Sequence, residues 1–309
     1  MSQKTVLSVS PHIHSGRSTA GIMRDVLIAL LPTTVAGAII FGARALLVVA
    51  LSVACAVGFE ALFNVLMKKE QTVGDCSAAV TGLLLALNMP ANIPLWQIVV
   101  GDFFAIVVVK CLFGGLGYNL VNPAIAARVL MLVSFGAMIS PCMPTIVDTV
   151  ATATPLAEGA HIVPLYRLFL GIYGGTIGET CTLAILLGFA YLLFRRVITW
   201  HIPVSFIACA LVLCFLLEGF DAYEAMGQVM SGSLLLGAVF MATDYVTSPV
   251  TPVGRVIFGV GAGLITVLIR YFGAYPEGVS FAILFMNILT PYIDRLTRRH
   301  VFGKGGKTV

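Results

Sequence analysis

The sequence predicts an all-α polytopic membrane protein, about ten transmembrane helices in two inverted five-helix repeats. Three observations predict it. Of 309 residues, 59% are hydrophobic and only 10% charged, where an ordinary globular chain carries about 25% charged residues. So few charges cannot cover a soluble protein of this size. Apolar runs recur at close to the roughly 20 residues that cross a bilayer core. And the stretch 77–101 has a counterpart at 231–259.

Taken in order, residues 1–21 are polar and lack the apolar core of a cleavable signal, so they are expected to form a cytoplasmic N-terminal segment. The first membrane repeat, 22–138, holds spans near 22–42, 44–67, 76–89, 94–113 and 121–138. The longest connection, 139–164, follows. The second repeat, 165–294, holds spans near 176–194, 200–217, 229–243, 255–272 and 278–294, and a basic tail occupies 295–309. The third and eighth spans are short, interrupted by Asn88-Met89-Pro90 and by Asp244. The piece Leu165–Tyr173 is too short to cross and should be re-entrant or interfacial.

Sidedness follows from the basic residues, which concentrate in cytoplasmic loops. With the N-terminus inside, 14 of the 18 lysines and arginines fall on the inner side. Only Arg44, Arg167 and Arg270 fall outside, and Arg128 lies within a span. Both termini are therefore expected in the cytoplasm, and the 139–164 loop on the outer face.

In the internal echo, Thr81-Gly82-Leu83-Leu84-Leu85-Ala86 aligns with Leu236-Gly237-Ala238-Val239-Phe240-Met241, and a proline-bearing break follows each. Five spans separate the copies, an odd number, so the halves would sit inverted. Inverted repeats with interrupted helices place a site between the halves.

Several function classes are excluded by the same residues. A net charge of +4 is too small and too scattered for a nucleic-acid surface. No G-x-G-x-x-G follows a strand, so the chain builds no nucleotide fold of its own. The seven cysteines include no C-x-x-C pair and read as small buried hydrophobes rather than metal ligands. His12 and His14 have no third ligand nearby.

Ionisable residues inside spans are costly and point to function. Glu60 and Arg128 each lie about 10 Å from the inner end of their spans at 1.5 Å per residue, so they could pair with each other or mark a cation path. Asp102 lies roughly 12 Å in from the outer end, with no cation at matching depth. It reads either as a neutral acid bonded between helices or as a proton or sodium waypoint. Glu179 is expected near the outer edge, where water or a partner satisfies it. The Gly/Asn turn 114–123 offers Asn119 and Asn122 as paired donors and acceptors beside backbone that glycine lets come close. It could hold a planar ligand, or simply form a tight turn and an Asn-Pro helix start. Thr243 and Asp244 should face the same level from the other half.

In the outer loop, Pro155 pushes Thr154 towards extended backbone, and Asp148 stands six residues earlier. The segment Asp148-x-x-Ala151-x-Ala153-Thr154-Pro155-Leu156 resembles the flavinylation motif of the family that joins the Rnf D subunit to the B subunit of sodium-pumping NADH:quinone oxidoreductase. Ala151 stands where that motif usually has Ser or Thr. Ser10-Pro11-His12 with Arg17-Ser18-Thr19-Ala20, Asp75-Cys76-Ser77, Phe113 to Ala124, Gly178-Glu179-Thr180 and Ala242-Thr243-Asp244-Tyr245 are similar to further signatures of that family. The short N-terminus resembles the Rnf D subunit more than the quinone-reductase subunit.

The resemblance implies a membrane electron-transfer subunit of a ferredoxin:NAD oxidoreductase coupled to Na+ or H+ movement. It implies covalent FMN on Thr154 through a phosphoester, with Asp148 in the motif read by a flavin transferase, and allows non-covalent riboflavin near Asn119 and Asn122. Implied partners are the A, B, C, E and G subunits, the extracytoplasmic FMN-bearing G subunit above all. The ten-span inverted repeat is also similar to urea-transporter architecture, so a stand-alone channel or transporter is the competing reading. The outer Thr loop, which a channel does not need, separates the two.

Overall fold

Helix α1 (Thr19–Phe41) starts where the Ser18 side chain accepts a hydrogen bond from Gly21 N at 3.1 Å, satisfying one of the orphan donors of a helix N-terminus. The structure is a computed structural model that describes residues 18–135, 164–273 and 278–298, and every regular element among them is a helix. One residue, Gly42 at φ 77°, turns the chain from α1 into α2 (Ala43–Leu66); positive φ is open to glycine at no steric cost. Arg44, in the first turn of α2, donates to the carbonyls of Ala91 (2.9 Å) and Ile93 (3.3 Å). It thereby holds the turn that follows the next helix.

That helix, α3 (Ser77–Leu87), has 11 residues. At about 16 Å it reaches only half way through a hydrocarbon core of roughly 30 Å. Every residue in it but Ala79 is buried. α4 (Leu95–Phe103) runs on without a break as a π-helix over Phe104–Cys111, and α5 (Pro123–Ser134) follows the Gly/Asn turn. After the undescribed residues come α6 (Leu165–Leu170), α7 (Thr182–Phe194), α8 (His201–Leu217) and α9 (Ala222–Met230). α10 (Leu234–Leu236) passes into a second π-helical run, Gly237–Met241, and α11 (Pro252–Phe272) and α12 (Val279–Thr297) complete the bundle.

Each of the ten expected spans contains a helix, but their lengths differ widely. Among the described residues only α1, α2, α11 and α12 are long and apolar enough to cross on their own, and α9 with α10 qualifies as a pair bent by 64°. Two boundaries depart from expectation. The 176–194 span becomes helical only at Thr182, because the Gly-rich stretch before it is irregular. Residues 222–228, expected as loop, belong to α9, whose start is fixed by Asp221 accepting from Tyr223 N and Glu224 N.

The halves meet like to like. α1 packs on α7 and α5 on α12, while the end of α3 touches the end of the α10 π run, with Asn88 against Met241. Each contact joins elements of the same rank in the two halves, the pattern two repeats related by an axis would give. Small residues set the spacing, as is usual between membrane helices. A Cβ on Gly188 of α7 would overlap the Ala29 carbonyl of α1, and one on Gly82 of α3 would sit 2.9 Å from the Ser52 carbonyl of α2.

Candidate functional site

Between the two half-length helices opens a cleft. Its walls include Ser77 and Thr81 of α3, Lys110 at the end of the π run, and Asn119 and Asn122 of the turn; Thr243 and Asp244 come from the second half. It encloses about 70 Å³ and opens outward. The expectation that Asn119, Asn122, Thr243 and Asp244 share one level holds: all four line this cleft.

The two asparagines have different duties. Asn122 is spent on structure. Its Oδ1 accepts from Ala124 N (3.0 Å) and Ile125 N (3.4 Å), capping α5 ahead of Pro123, and its Nδ2 donates to the Met241 carbonyl at 3.3 Å. Asn119 is equally buried, yet its Oδ1 has no hydrogen-bond partner. A buried acceptor left unmade costs about 1–3 kcal/mol, and Asn119 Oδ1 carries that cost at the cleft wall. The turn that carries it needs glycine, with Gly114, Gly115 and Gly117 all at positive φ. Across the cleft, Asp244 accepts from Thr247 Oγ1 at 3.2 Å. Burial pushes its carboxyl above the ordinary carboxylate value, against the opposing pull of hydrogen bonds from Val246, Thr247 and Tyr245.

The expected Glu60–Arg128 pair does not form. Glu60 Oε1 instead lies 2.8 Å from Lys110 Nζ, with the two side chains 2% and 1% exposed. Counting along the spans had put Lys110 on the inner surface. The π-helical turn before it, one residue wider than an α-turn, swings it inward onto α2. Lys110 also donates to Ser77 Oγ at 2.7 Å, and Thr72 Oγ1 donates to Glu60 Oε1 at 2.9 Å. Ser77 in turn bonds Asp75 Oδ1 through both Oγ (2.5 Å) and N (2.8 Å). A buried ammonium thus reaches the cleft wall, its charge matched from behind. Sequence counting missed Lys110, although the unbroken apolar run leading up to it was a legible warning.

Arg128 pairs elsewhere. Its guanidinium donates to Asn88 Oδ1 and lies 3.9 Å from Glu179 Oε2. Glu179, expected at the outer edge, is buried. The loop bearing it folds under the end of α3: Gly178 N donates to the Leu87 carbonyl (2.7 Å), Ile177 N to that of Met89 (3.1 Å) and Thr176 Oγ1 to that of Leu87 (3.2 Å). Those are carbonyls a truncated helix would otherwise leave unpaired at membrane depth. The loop closes the broken end and delivers Glu179 to Arg128.

Asp102 of α4 is completely buried (0%). Ser52 Oγ of α2 stands 2.9 Å from its Oδ1 and 2.8 Å from the Gly82 carbonyl of α3. Its Oδ2 has no partner, and no ion pair to it is found among the described residues. Asp148 and Thr154 lie outside the described residues, as do His12 and His14.

Comparison with known proteins places these features in context. A sequence model of the NQR2, RnfD, RnfE family matches residues 6–303. The chain is 46% identical over 305 residues to the D subunit of the Na(+)-translocating ferredoxin:NAD(+) oxidoreductase complex of Acetobacterium woodii, covering 96% of this chain and 95% of that one. It is 39% identical over 320 residues to the D subunit of the proton-translocating ferredoxin:NAD(+) oxidoreductase complex of Clostridium ljungdahlii, covering 96% of each. To the D subunit of the ion-translocating oxidoreductase complex of Escherichia coli K12 it is 36% identical over 345 residues, covering 96% and 98%.

Proposed function

We propose a function on one premise: the chain belongs to the NQR2, RnfD, RnfE family. It is the membrane-embedded D subunit of an Rnf-type complex and relays electrons across the membrane between ferredoxin and NAD, in coupling to Na+ or H+ translocation. The observation that carries this reading is the end-to-end likeness to D subunits of such complexes. A complete active site is not built on this chain, so the oxidoreductase activity belongs to the assembly with the A, B, C, E and G subunits.

On this reading the chain resides in the cell (inner) membrane with both termini cytoplasmic, and the 139–164 loop faces outward beside the FMN-bearing G subunit. A flavin transferase esterifies Thr154 with FMN, guided by the motif that Asp148 opens. The cleft is the second flavin position. Asn119 Oδ1, buried and unpartnered, fits the imide N–H of an isoalloxazine, and the Lys110 ammonium at the wall fits electron density arriving there. Asn122 shapes the floor through its cap rather than by contact. A flavin supplies one- and two-electron chemistry. The chain's own part is to orient the ring, exclude water with the walls of α1 and α3, and hold positive charge at Lys110 Nζ. Asp102, Glu60 and Arg128 are the buried ionisable groups we place along the ion route.

The direct test is a denaturing gel of the purified protein, produced with its transferase and viewed under ultraviolet light. The wild-type band fluoresces and that of Thr154→Ala is dark. A dark wild-type band removes the covalent-flavin reading, and a bright Thr154→Ala band moves the attachment to another hydroxyl such as Thr152.

A further inference from the structure

The contacts of Ser52 impose a proton count on the centre of the first half. Its Oγ is 2.8 Å from the Gly82 carbonyl and 2.9 Å from Asp102 Oδ1, both within the range of O–H···O hydrogen bonds. A serine hydroxyl has one proton to donate, and a backbone carbonyl has none. With Asp102 ionised, one of the two contacts would set lone pair against lone pair. Oδ2 would moreover be a buried anionic oxygen facing no donor, the arrangement for which burial costs most. One added proton removes both conflicts. The Asp102 carboxyl O–H donates to Ser52 Oγ, Ser52 O–H donates to the Gly82 carbonyl, and Oδ2 becomes a neutral carbonyl oxygen.

We infer that Asp102 is a proton-binding site within the membrane, whose ligand is H+ rather than a sodium ion and whose bound proton ties α4 to α2 and α3. The surroundings are built for it. A Cβ at Gly82 would stand 2.8 Å from Ala56 Cβ and 2.9 Å from the Ser52 carbonyl, so glycine there is what lets α2 approach until Ser52 reaches across. Hydrogen-bond spacing on both sides of Ser52 leaves no gap for a metal ion between these oxygens. On the other side of the carboxyl, Oδ2 is buried with no hydrogen-bond partner. Of the titratable and charged groups on the packed elements, Glu60 of α2 and Lys110 of the π run are bound to each other, Arg44 of α2 is bound to the Ala91 and Ile93 carbonyls, and Cys111 of the π run is an uncharged thiol. Arg128 of α5 is bound to Asn88 and Glu179, Cys55 of α2 carries no charge as a thiol, and α3 brings none.

The assignment deepens the reading of Asp102 as an intramembrane ion group and rests on that reading only for its consequence in transport. Infrared spectroscopy of the purified, detergent-solubilised complex tests it. The wild type should show a carboxylic-acid C=O band, sensitive to D2O, that persists from mildly acidic to mildly alkaline buffer and is unmoved when choline chloride is replaced by sodium chloride. The band should be lost in Asp102→Asn, whose amide can still donate to Ser52, and shifted to higher frequency in Ser52→Ala. A wild-type spectrum with no band that Asp102→Asn removes would overturn the assignment, and so would a band abolished by sodium. Coupled ion transport by Asp102→Asn separates this from the route. Unchanged transport with the band lost takes Asp102 off the ion route and leaves the proton in place; lost transport with no such band in the wild type keeps the route and sinks the proton.

Discussion

The side-chain amide of Asn88 and the thioether of Met241 lie 3.4 Å apart, Nδ2 directed at Sδ, at the point where the two interrupted helices end. Asn88 Nδ2 also donates to the Leu84 carbonyl at 2.7 Å, and its Oδ1 receives the Arg128 guanidinium. One amide thus closes α3 and holds a buried cation at the boundary between halves.

Asn88→Leu should therefore destabilise the protein by about 1.5–3 kcal/mol, the range for a hydrogen bond to a charged group. Asn88→Asp, which keeps the acceptor, should lose less. Thermal unfolding in detergent, followed by circular dichroism, ranks the two. Equal losses would show that Asn88 Oδ1 is not what steadies Arg128.

The Lys110–Glu60 pair offers a double-mutant test. Lys110→Met or Glu60→Gln alone leaves a buried group without its match and should cost about 3–5 kcal/mol. Lys110→Met with Glu60→Gln should cost clearly less than the two single losses summed. Additive losses in the same unfolding assay would mean that the two side chains do not act as a pair.

The asparagines of the turn should separate binding from stability. Asn122→Ala removes a helix cap and should cost about 0.5–2 kcal/mol. Asn119→Ala should leave the melting temperature nearly unchanged while lowering the non-covalent flavin that acid precipitation releases from the purified complex. Loss of stability without loss of flavin in Asn119→Ala would remove it from the cleft's ligand set.

Gly188 tests the seam between α1 and α7. A methyl there would overlap the Ala29 carbonyl and stand 2.7 Å from the Phe240 ring, so one of the helices must move. Gly188→Ala should cost about 1–3 kcal/mol, as overpacking generally does. Wild-type stability in this variant would mean that the seam yields at no cost.

Asp244 gives a pH dependence. Burial raises its carboxyl above the value it has in the unfolded chain, so between those two values the folded state binds more protons. Stability must then fall as pH rises through that window. Below it both states are protonated, above it both are ionised, and the contribution is level. Asp244→Asn should flatten this part of the stability–pH curve. A slope that survives the substitution belongs to another group.

What the sequence revealed was mainly depth. Hydropathy and the Gly/Pro breaks placed α1, α2, α11 and α12 within a few residues, and Asn119, Asn122, Thr243 and Asp244 at a common level. What it hid was rotation about each helix axis. Glu60 and Arg128, counted to one depth, meet opposite ends of α3, Glu60 through Lys110 at Ser77 and Arg128 at Asn88, and a π-helical run leaves no mark in hydropathy, so Lys110 passed for a surface cation. Glu179 was misplaced for a related reason: residues 176–181 read as the start of a span, yet with Gly174, Gly175 and Gly178 they fold as an irregular loop against the Leu87 and Met89 carbonyls. Asn122 was legible in both of its roles, and only the hydrogen bonds of α5 decide between them.

The single-residue link at Gly42 has a consequence for biogenesis. Two hydrophobic stretches with nothing but one glycine between them cannot be released into lipid one at a time, since no tether exists to park the first while the second emerges from the ribosome. They must leave the translocon as a ready-made hairpin. Arg44 sits at its tip, its guanidinium waiting for the Ala91 and Ile93 carbonyls that are synthesised some fifty residues later.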